Sequence, residues 1–352
     1  MKRIAALLAT IVFMSLGWAQ TPSPTGGKLS GLFFIDYFYK AGGDTTSAGS
    51  SSQFSAPMQQ GMNAFNLRRL YLTYDHIFNE NFVGQTILES TDKSLEPGGR
   101  FGFFVKTAFV EWKGALAQTD ISFGLIPTPA WVWGISERVW AYRSVEKTIA
   151  DFRGLGNATD FGMAIRGRFD AHGKYSYMLS VGNGTAQKPE ADKNKKFYGE
   201  FLAKPMPELM LEAYGDYEYK GSNQETYTAK GVASYAMPKW SVGAEGIYQT
   251  QSNVTPGVTR NPFGISAFGS LLVPWETGQK IFARVDFYDP DLNNGTTGYT
   301  EVFATVGLDF APQDNVHLIP NVWLNQFSAK SSTVVKKDAD VVVRMTVAAY
   351  FR

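Results

Sequence analysis

The chain has 352 residues, of which 44% are hydrophobic, 14% aromatic and 18% charged, and it contains no cysteine. The charged fraction lies below the roughly 25% typical of soluble domains, while 33 basic residues nearly balance 32 acidic ones. Nucleic-acid binding driven by a net basic surface is therefore excluded, and so are disulfides. The length is compatible with one large closed β-barrel.

The first 19 residues are predicted to be a cleaved signal peptide. Lys2 and Arg3 precede an apolar run over residues 4–16, and the small residues Gly17 and Ala19 follow it. The run is shorter than the roughly 20 apolar residues that a membrane-spanning helix needs. Residues 1–19 are therefore predicted to form the signal peptide, and residues 20–352 are expected to form a single β-barrel domain.

After a polar linker, apolar and polar residues alternate with the period of a β-strand. One example places Ile281, Ala283, Val285 and Phe287 on one face and Lys280, Arg284, Asp286 and Tyr288 on the other. The pattern predicts about sixteen strands, at residues 29–41, 65–76, 82–89, 103–113, 121–126, 157–169, 175–183, 195–203, 209–220, 227–237, 240–249, 263–273, 280–288, 299–310, 316–327 and 340–351.

The connections between these strands alternate in length. Long polar connections are predicted at 42–64, 91–102, 127–156, 184–194, 221–226, 250–262, 289–298 and 328–339, and tight turns join the remaining pairs. One long-loop rim and one short-turn rim are typical of outer-membrane barrels. In a soluble β-sandwich, the alternative, Glu212, Asp216 and Glu218 would be unpaired in a dry core at several kcal/mol each. The fold class is therefore an all-β, antiparallel, up-and-down transmembrane barrel.

The 127–156 connection has helical character. Ser136 is a candidate N-cap, and the spacing of Tyr142, Val145, Ile149 and Phe152 predicts an apolar helical stripe that docks on a wall. The connection is expected to fold into the lumen and constrict it. The candidate pore cations are Arg138, Arg143, Lys147 and Arg153 in the connection and Arg69, Arg166, Arg168, Arg284 and Arg344 on the wall. Neutralisation of most of them by lumenal carboxylates is the alternative.

Few residues in the sequence are candidates for catalysis or metal binding. The histidines His76, His172 and His317 all fall near short turns, and no cysteine is present. Residues 289–295 are rich in Asp and Asn, but Gly295 comes one position too late for a Ca²⁺ loop, and Thr300 stands where the bidentate carboxylate belongs. No catalytic, metal or cofactor site is predicted, and the protein is not expected to be an enzyme.

Six short motifs stand out along the chain: FNLRRLYL (65–72), KTAFVEW (106–112), GLIPTP (124–129), ERVWAYRS (137–144), TIAD (148–151) and VGNG (181–184). Together they resemble the bacterial porin group that contains the phosphate-selective porins. The resemblance implies a trimeric barrel of sixteen strands with the third long loop folded inside. In phosphate-selective members an arginine ladder and lysines bind the anion. Here Glu137, Glu146 and Asp151 are interspersed among the loop cations, and Arg352 follows the terminal Phe351.

The sequence thus predicts an outer-membrane porin, a passive diffusion channel for small hydrophilic solutes and ions with a weak anion preference. The loop cations Arg143 and Lys147, four residues apart, are expected to project together into the throat. The expected partners are outer-membrane lipid, the solutes and two further copies of the chain, with no nucleic acid and no cofactor. The alternatives are a phosphate or oxyanion channel, a non-channel binding barrel and, last, a barrel enzyme.

Overall fold

The computed structural model describes residues 25–43, 59–273 and 279–352. The predicted signal peptide and most of the first long loop lie outside these ranges. The strands are β1 Gly26–Gly42, β2 Asn63–Ile77, β3 Phe82–Ser90, β4 Phe104–Leu116, β5 Thr119–Pro127, β6 Thr159–Arg168, β7 Tyr175–Gly182, β8 Lys196–Met206, β9 Leu209–Gly221, β10 Gln224–Met237, β11 Trp240–Thr255, β12 Val258–Arg260, β13 Phe263–Leu272, β14 Lys280–Asp289, β15 Tyr299–Gln313, β16 Val316–Ala329 and β17 Asp340–Phe351. Two four-residue helices, α1 Ser136–Val139 and α2 Ile149–Phe152, interrupt the β5–β6 connection.

The strands form one closed antiparallel wall. Each long strand pairs with its neighbours in sequence, and β1 pairs with β17 over the register from Gly31 with Phe351 to Gly42 with Val341. The three-residue β12 only extends the end of β11, which itself pairs with β13. The wall therefore has sixteen strands, and the prediction of an up-and-down barrel is confirmed. Closure pairs the edges that an open sheet would expose.

The two faces of the wall follow the predicted alternation. On β14, Ile281, Val285 and Phe287 are exposed on the outside, whereas Arg284 and Asp286 are buried on the inside. Exposed and half-buried aromatic side chains flank this outer apolar surface at both rims. They include the ring pairs Tyr37–Phe65 and Tyr217–Tyr227 near the long loops and Phe82–Trp112 and Tyr235–Trp240 near the short turns. An apolar belt between two aromatic girdles is the surface of a barrel that spans a membrane.

Two of the predicted long connections are hairpin ends instead. The 221–226 connection is a tight turn in which Ser222 and Asn223 have φ angles of 51° and 61°, the left-handed conformation of a type I′ hairpin turn. In the 250–262 connection, β11 continues to Thr255 and returns through β12. Polar composition predicts a loop in both places, but cross-strand backbone pairing continues because these polar residues stand above the apolar belt.

The expected continuous helix in the β5–β6 connection is also wrong. Residues 140–148 between α1 and α2 are irregular, and Ser136 is the first residue of α1 rather than its cap. The Ser136 hydroxyl instead accepts a hydrogen bond from Lys230 Nζ at 2.7 Å. Tertiary contacts with the wall thus override the helical spacing. Within the described part of the chain, no helix has the length and apolar character to cross a membrane.

Candidate functional site

The β5–β6 connection, residues 128–158, is called L3 below. Hydrogen bonds join L3 to strands all round the barrel. The Ile135 amide donates to Glu212 of β9 at 2.5 Å, and Arg344 of β17 donates to the Val145 carbonyl at 2.7 Å. Arg68 of β2 donates to the Ser144 carbonyl. A loop that leaves the wall between β5 and β6 reaches these strands together only across the interior of the barrel.

Aromatic packing fixes L3 against one side of the inner wall. The rings of Tyr142 and Phe282 stack with their centroids 3.9 Å apart, and Trp140 packs edge-on against Phe268 and Phe282. Further along, Phe152 of L3 contacts Phe303. These contacts bury the apolar stripe of L3 on β13 to β15. The inner wall is accordingly aromatic there, and open space remains on the opposite side, beside β2 to β4.

A cavity of about 230 Å³ lies between L3 and strands β2 to β4. It is on the side of L3 that faces the long-loop rim, since residues 91–93 and Gln187 of two long loops also line it. Cationic side chains outnumber carboxylates among the lining residues. The cations are Arg68, Arg69, Lys93, Lys106, Arg143 and Lys147, and the carboxylates are Glu89, Asp92 and Asp151. The surface of this cavity is therefore predominantly positive.

Four of the six cations of this cavity are organised as two triads, each with two cations around one carboxylate. In the wall triad, Arg69 Nε lies 3.1 Å from Glu89 and Lys106 Nζ lies 2.9 Å from it. In the L3 triad, Arg143 and Lys147 lie 2.7 Å and 3.3 Å from Asp151. Each triad has one positive charge in excess, although Arg143 also pairs with Glu137 at 2.7 Å. The pairing fixes the positions of the cations and moderates their field.

The pKa values of the L3 triad reflect burial opposed by pairing. Burial alone would raise the pKa of Asp151, but Arg143 and then Lys147 outweigh it and lower that pKa to about 2. Burial lowers the pKa of Lys147, and Asp151 only partly offsets this effect. Burial would also lower the pKa of Arg143, yet Glu137 and Asp151 raise it. At neutral pH Asp151 and Arg143 are therefore ionised, and Lys147 is the member of the triad whose charged form is disfavoured by burial.

A second cavity, of about 320 Å³, lies on the short-turn side of L3. It brings together Arg138 of L3 and the wall residues Arg166 and Arg168, with Asp120 and Glu200 also in its lining. Arg166 pairs with Glu111 and stacks 4.0 Å above the ring of Trp133. The predicted pore cations thus lie on both sides of L3.

The remaining predicted cations line neither cavity. Arg153 pairs with Glu301 of β15 at 2.7 Å and lies 4.3 Å above the Phe152 ring. Arg284 and Arg344 face the interior, as the alternation predicts, but they are buried beneath L3. Their guanidinium groups contact L3 backbone carbonyls.

Sequence analysis missed Arg68 and Lys106 as members of the site. Both residues lie at register shifts between paired strands. Arg68 of β2 lies opposite the step from Phe34 to Ile35 in β1. Lys106 of β4 lies opposite the step from Ile87 to Leu88 in β3. A β-bulge places two consecutive side chains on the same face. The signal in the sequence is the adjacent polar pair, Arg68 with Arg69 and Lys106 with Thr107, in strands that otherwise alternate.

The Asp- and Asn-rich connection after β14 surrounds a cation from the chain itself. Lys330 Nζ contacts Asp289 and donates to the carbonyl oxygens of Asp291 at 2.6 Å and Asn294 at 2.8 Å. The Lys330 ammonium thus links the β14–β15 connection to the β16–β17 connection. Over the described ranges, no group of three or more His, Cys, Asp or Glu side chains could hold a metal ion.

Solved structures with the same fold are outer-membrane proteins. No protein-family model matches the chain, and no curated relative does. The channel DcaP of Acinetobacter baumannii is 10% identical, with a TM-score of 0.65 over 95% of this chain and 100% of that chain. The anion-selective porin of Comamonas acidovorans is 12% identical, with a TM-score of 0.63 over 93% and 100%. OmpT of Vibrio cholerae is 10% identical, with a TM-score of 0.62 over 95% and 100%. The chain therefore has the fold of porin barrels.

Proposed function

We propose that the protein is a bacterial outer-membrane porin that passes small hydrophilic solutes and ions by passive diffusion. The observation that carries this proposal is L3, which is bonded across the barrel interior and leaves its cationic cavity beside β2 to β4. Such a loop is a size filter, because it narrows a wide barrel without closing the two rims. Diffusion needs no catalytic group, and the function is not enzymatic.

The cationic cavity favours a weak anion preference. A unit charge roughly 6 Å from a passing ion contributes about 0.7 kcal/mol in water, which is about a threefold change in occupancy, and more where the path is partly desolvated. The cavity lining has six cations and three carboxylates. Because Glu89 and Asp151 already pair with four of those cations, the excess field is modest. We therefore expect anions to pass somewhat faster than cations.

The fold neighbours suggest two further features. The Comamonas acidovorans neighbour is described as an anion-selective porin, and one structure of Vibrio cholerae OmpT is described as a trimer form. We extend both to this chain as proposals, a homotrimer embedded in outer-membrane lipid with a preference for anions. Tight, selective binding of phosphate or another oxyanion is the less favoured alternative, because an oxyanion would have to displace Glu89 and Asp151 from their cations.

Planar-bilayer recording tests the proposal. The purified protein should give discrete conductance steps, and across a KCl gradient its zero-current potential should show anion preference. Lys147→Gln removes one positive charge from the lining of the cavity and should reduce that preference by about twofold to threefold. Lys195→Gln is the matched control, since Lys195 pairs with Glu190 on a long loop and does not line the cavity.

Each other outcome identifies an alternative. The absence of conductance steps would favour the non-channel binding barrel. Cation preference in the wild type would mean that wall carboxylates set the field. Block of the chloride current by micromolar phosphate would favour the oxyanion channel.

A further inference from the structure

We infer that Arg68, Arg284 and Arg344 form an anchor that sets the position of L3 and leaves ion selectivity to the two triads. The three arginines come from β2, β14 and β17, yet they converge on one short stretch of L3 backbone. The inference rests on the proposed function where it concerns the pore. Where it concerns the position of L3, it rests on contacts alone.

The anchor contacts backbone rather than side chains. Arg68 donates to the Ser144 carbonyl, Arg344 donates to the Val145 carbonyl at 2.7 Å, and Arg284 donates to the Lys147 carbonyl. These carbonyls belong to the irregular stretch between α1 and α2. A guanidinium group has five N–H donors in a fixed fork, so it can hold a carbonyl and a carboxylate at once.

Each anchor charge has a local counter-charge. Arg284 contacts Asp286 through Nε at 2.8 Å and through Nη2 at 2.5 Å. Asp36 lies between Arg68 and Arg344, in contact with Arg68 and 3.8 Å from Arg344. The anchored stretch itself supplies a third carboxylate, described next.

That third carboxylate is Glu146, which is fully buried. One of its oxygens accepts from Trp323 Nε1 at 3.0 Å, and the other accepts from the Lys147 amide at 2.8 Å. Three arginines and three carboxylates therefore balance, in contrast to the triads, where two cations share one carboxylate. A balanced, buried cluster contributes little field to a passing ion.

The anchor side chains are also more deeply buried than those of the triads. The side chains of Arg68, Arg284 and Arg344 are 5%, 1% and 0% exposed. Those of Arg69, Lys106, Arg143 and Lys147 are 10%, 11%, 15% and 23% exposed. Loss of one anchor arginine leaves a carbonyl of L3 and a buried carboxylate without that partner. The expected consequence is release of the 144–147 stretch from the wall. For Arg284 and Arg344, which do not line the cavity, this release comes with no direct change in the charge of the cavity.

Cysteine labelling measures this release. The chain has no cysteine, so a single introduced thiol is reported without background. Val145→Cys keeps the backbone carbonyl that Arg344 binds and places the thiol at a position that is 0% exposed. In the full-length protein in lipid vesicles, this thiol should react slowly with a membrane-impermeant maleimide. Adding Arg344→Gln or Arg284→Gln should raise the labelling rate by about tenfold or more.

Two controls test the origin of the effect. Ala141→Cys, on an exposed part of L3, should label rapidly with or without the anchor substitutions. Adding Lys147→Gln to Val145→Cys should not accelerate labelling, because that substitution removes a pore charge and no anchor contact. Arg344→Lys and Arg284→Lys keep the positive charge but lose the planar guanidinium group with its several N–H donors. These variants should therefore give intermediate labelling rates. They also serve if a glutamine variant fails to fold, as judged by heat-modifiable migration in SDS gels.

Bilayer recordings give the second readout. The anchor variants should change the single-channel conductance and the size cut-off for polyethylene glycols while the permeability ratio of anion to cation stays within about twofold. Lys147→Gln should do the reverse. A folded anchor variant that keeps Val145→Cys protected would overturn the inference, and so would one that changes the permeability ratio as much as Lys147→Gln does. Absence of channels in every variant would overturn the proposed function, whereas the labelling result would still decide the anchor.

Discussion

An arginine on the outer face of β15 should destabilise the barrel in proportion to its depth in the membrane. Val302 and Val306 both face outward and are 38% and 47% exposed. Val306 lies in the middle of Tyr299–Gln313, and Val302 lies four residues nearer the long-loop rim. Four residues at about 3.4 Å each, on a strand tilted by about 40°, separate the two positions by roughly 10 Å along the membrane normal. Val306→Arg should therefore cost about 2 to 4 kcal/mol and Val302→Arg about 0 to 1 kcal/mol.

The free energy of unfolding of both variants can be measured by urea titration in phospholipid vesicles, with tryptophan fluorescence as the probe. The two positions share residue type, strand and face, so the difference between them isolates depth. Equal costs at both positions would mean that the exposed apolar face is not a membrane-spanning belt. A larger cost at Val302 would mean that the belt is centred nearer the long-loop rim than the strand bounds indicate.

Four further predictions concern the loops. Because burial lowers the pKa of Lys147, the anion preference should decline with rising pH before ordinary lysines titrate near about 10.4, and Lys147→Gln should lack this step. As the pH falls from 7 to about 3, the anion preference should instead increase, because ordinary carboxylates lose their charge near pH 4. Asp151, with a pKa of about 2, keeps its charge and still holds its cations in place. A fall in anion preference would contradict this reasoning. An epitope inserted at Gly257, on the long-loop side, should be accessible to antibody on intact cells and one at Pro207 should not, and equal access would refute the assigned orientation. Lys330→Ala should raise the rate of limited proteolysis in the loops after β14 and β16 by about tenfold without altering barrel unfolding, and an unchanged cleavage rate would show that this ammonium does not order them.

The wall of the barrel could be predicted from the sequence because its signal is local. Successive side chains of a strand point to opposite faces, so apolar residues on a lipid-facing surface must recur at every second position. The alternation along Ile281–Phe287 fixes which side chains face outward without knowledge of the neighbouring strands. The number of strands and the closed antiparallel order follow from repeating that pattern with short turns on one rim.

Positions where long-range contacts compete with local pattern could not be predicted in the same way. The spacing of Tyr142, Val145, Ile149 and Phe152 is helical, yet stacking on Phe282 and the arginine contacts hold residues 140–148 in an irregular path. Arg143 and Lys147 lie near each other in this path because both contact Asp151, and they do not share one helix face.

The roles of the lumenal arginines were decided only by the tertiary structure. Alternation places Arg69, Arg284 and Arg344 on the same inner face, and nothing in their local sequence separates a cation that lines the open cavity from one that lies beneath L3. That separation depends on where the carbonyls of residues 144–147 come to rest, more than 50 residues from any of the three arginines in sequence. The sequence by itself determines that these charges face inward, because facing is a property of the strand. Whether a charge meets the solute or the loop is a property of the folded interior.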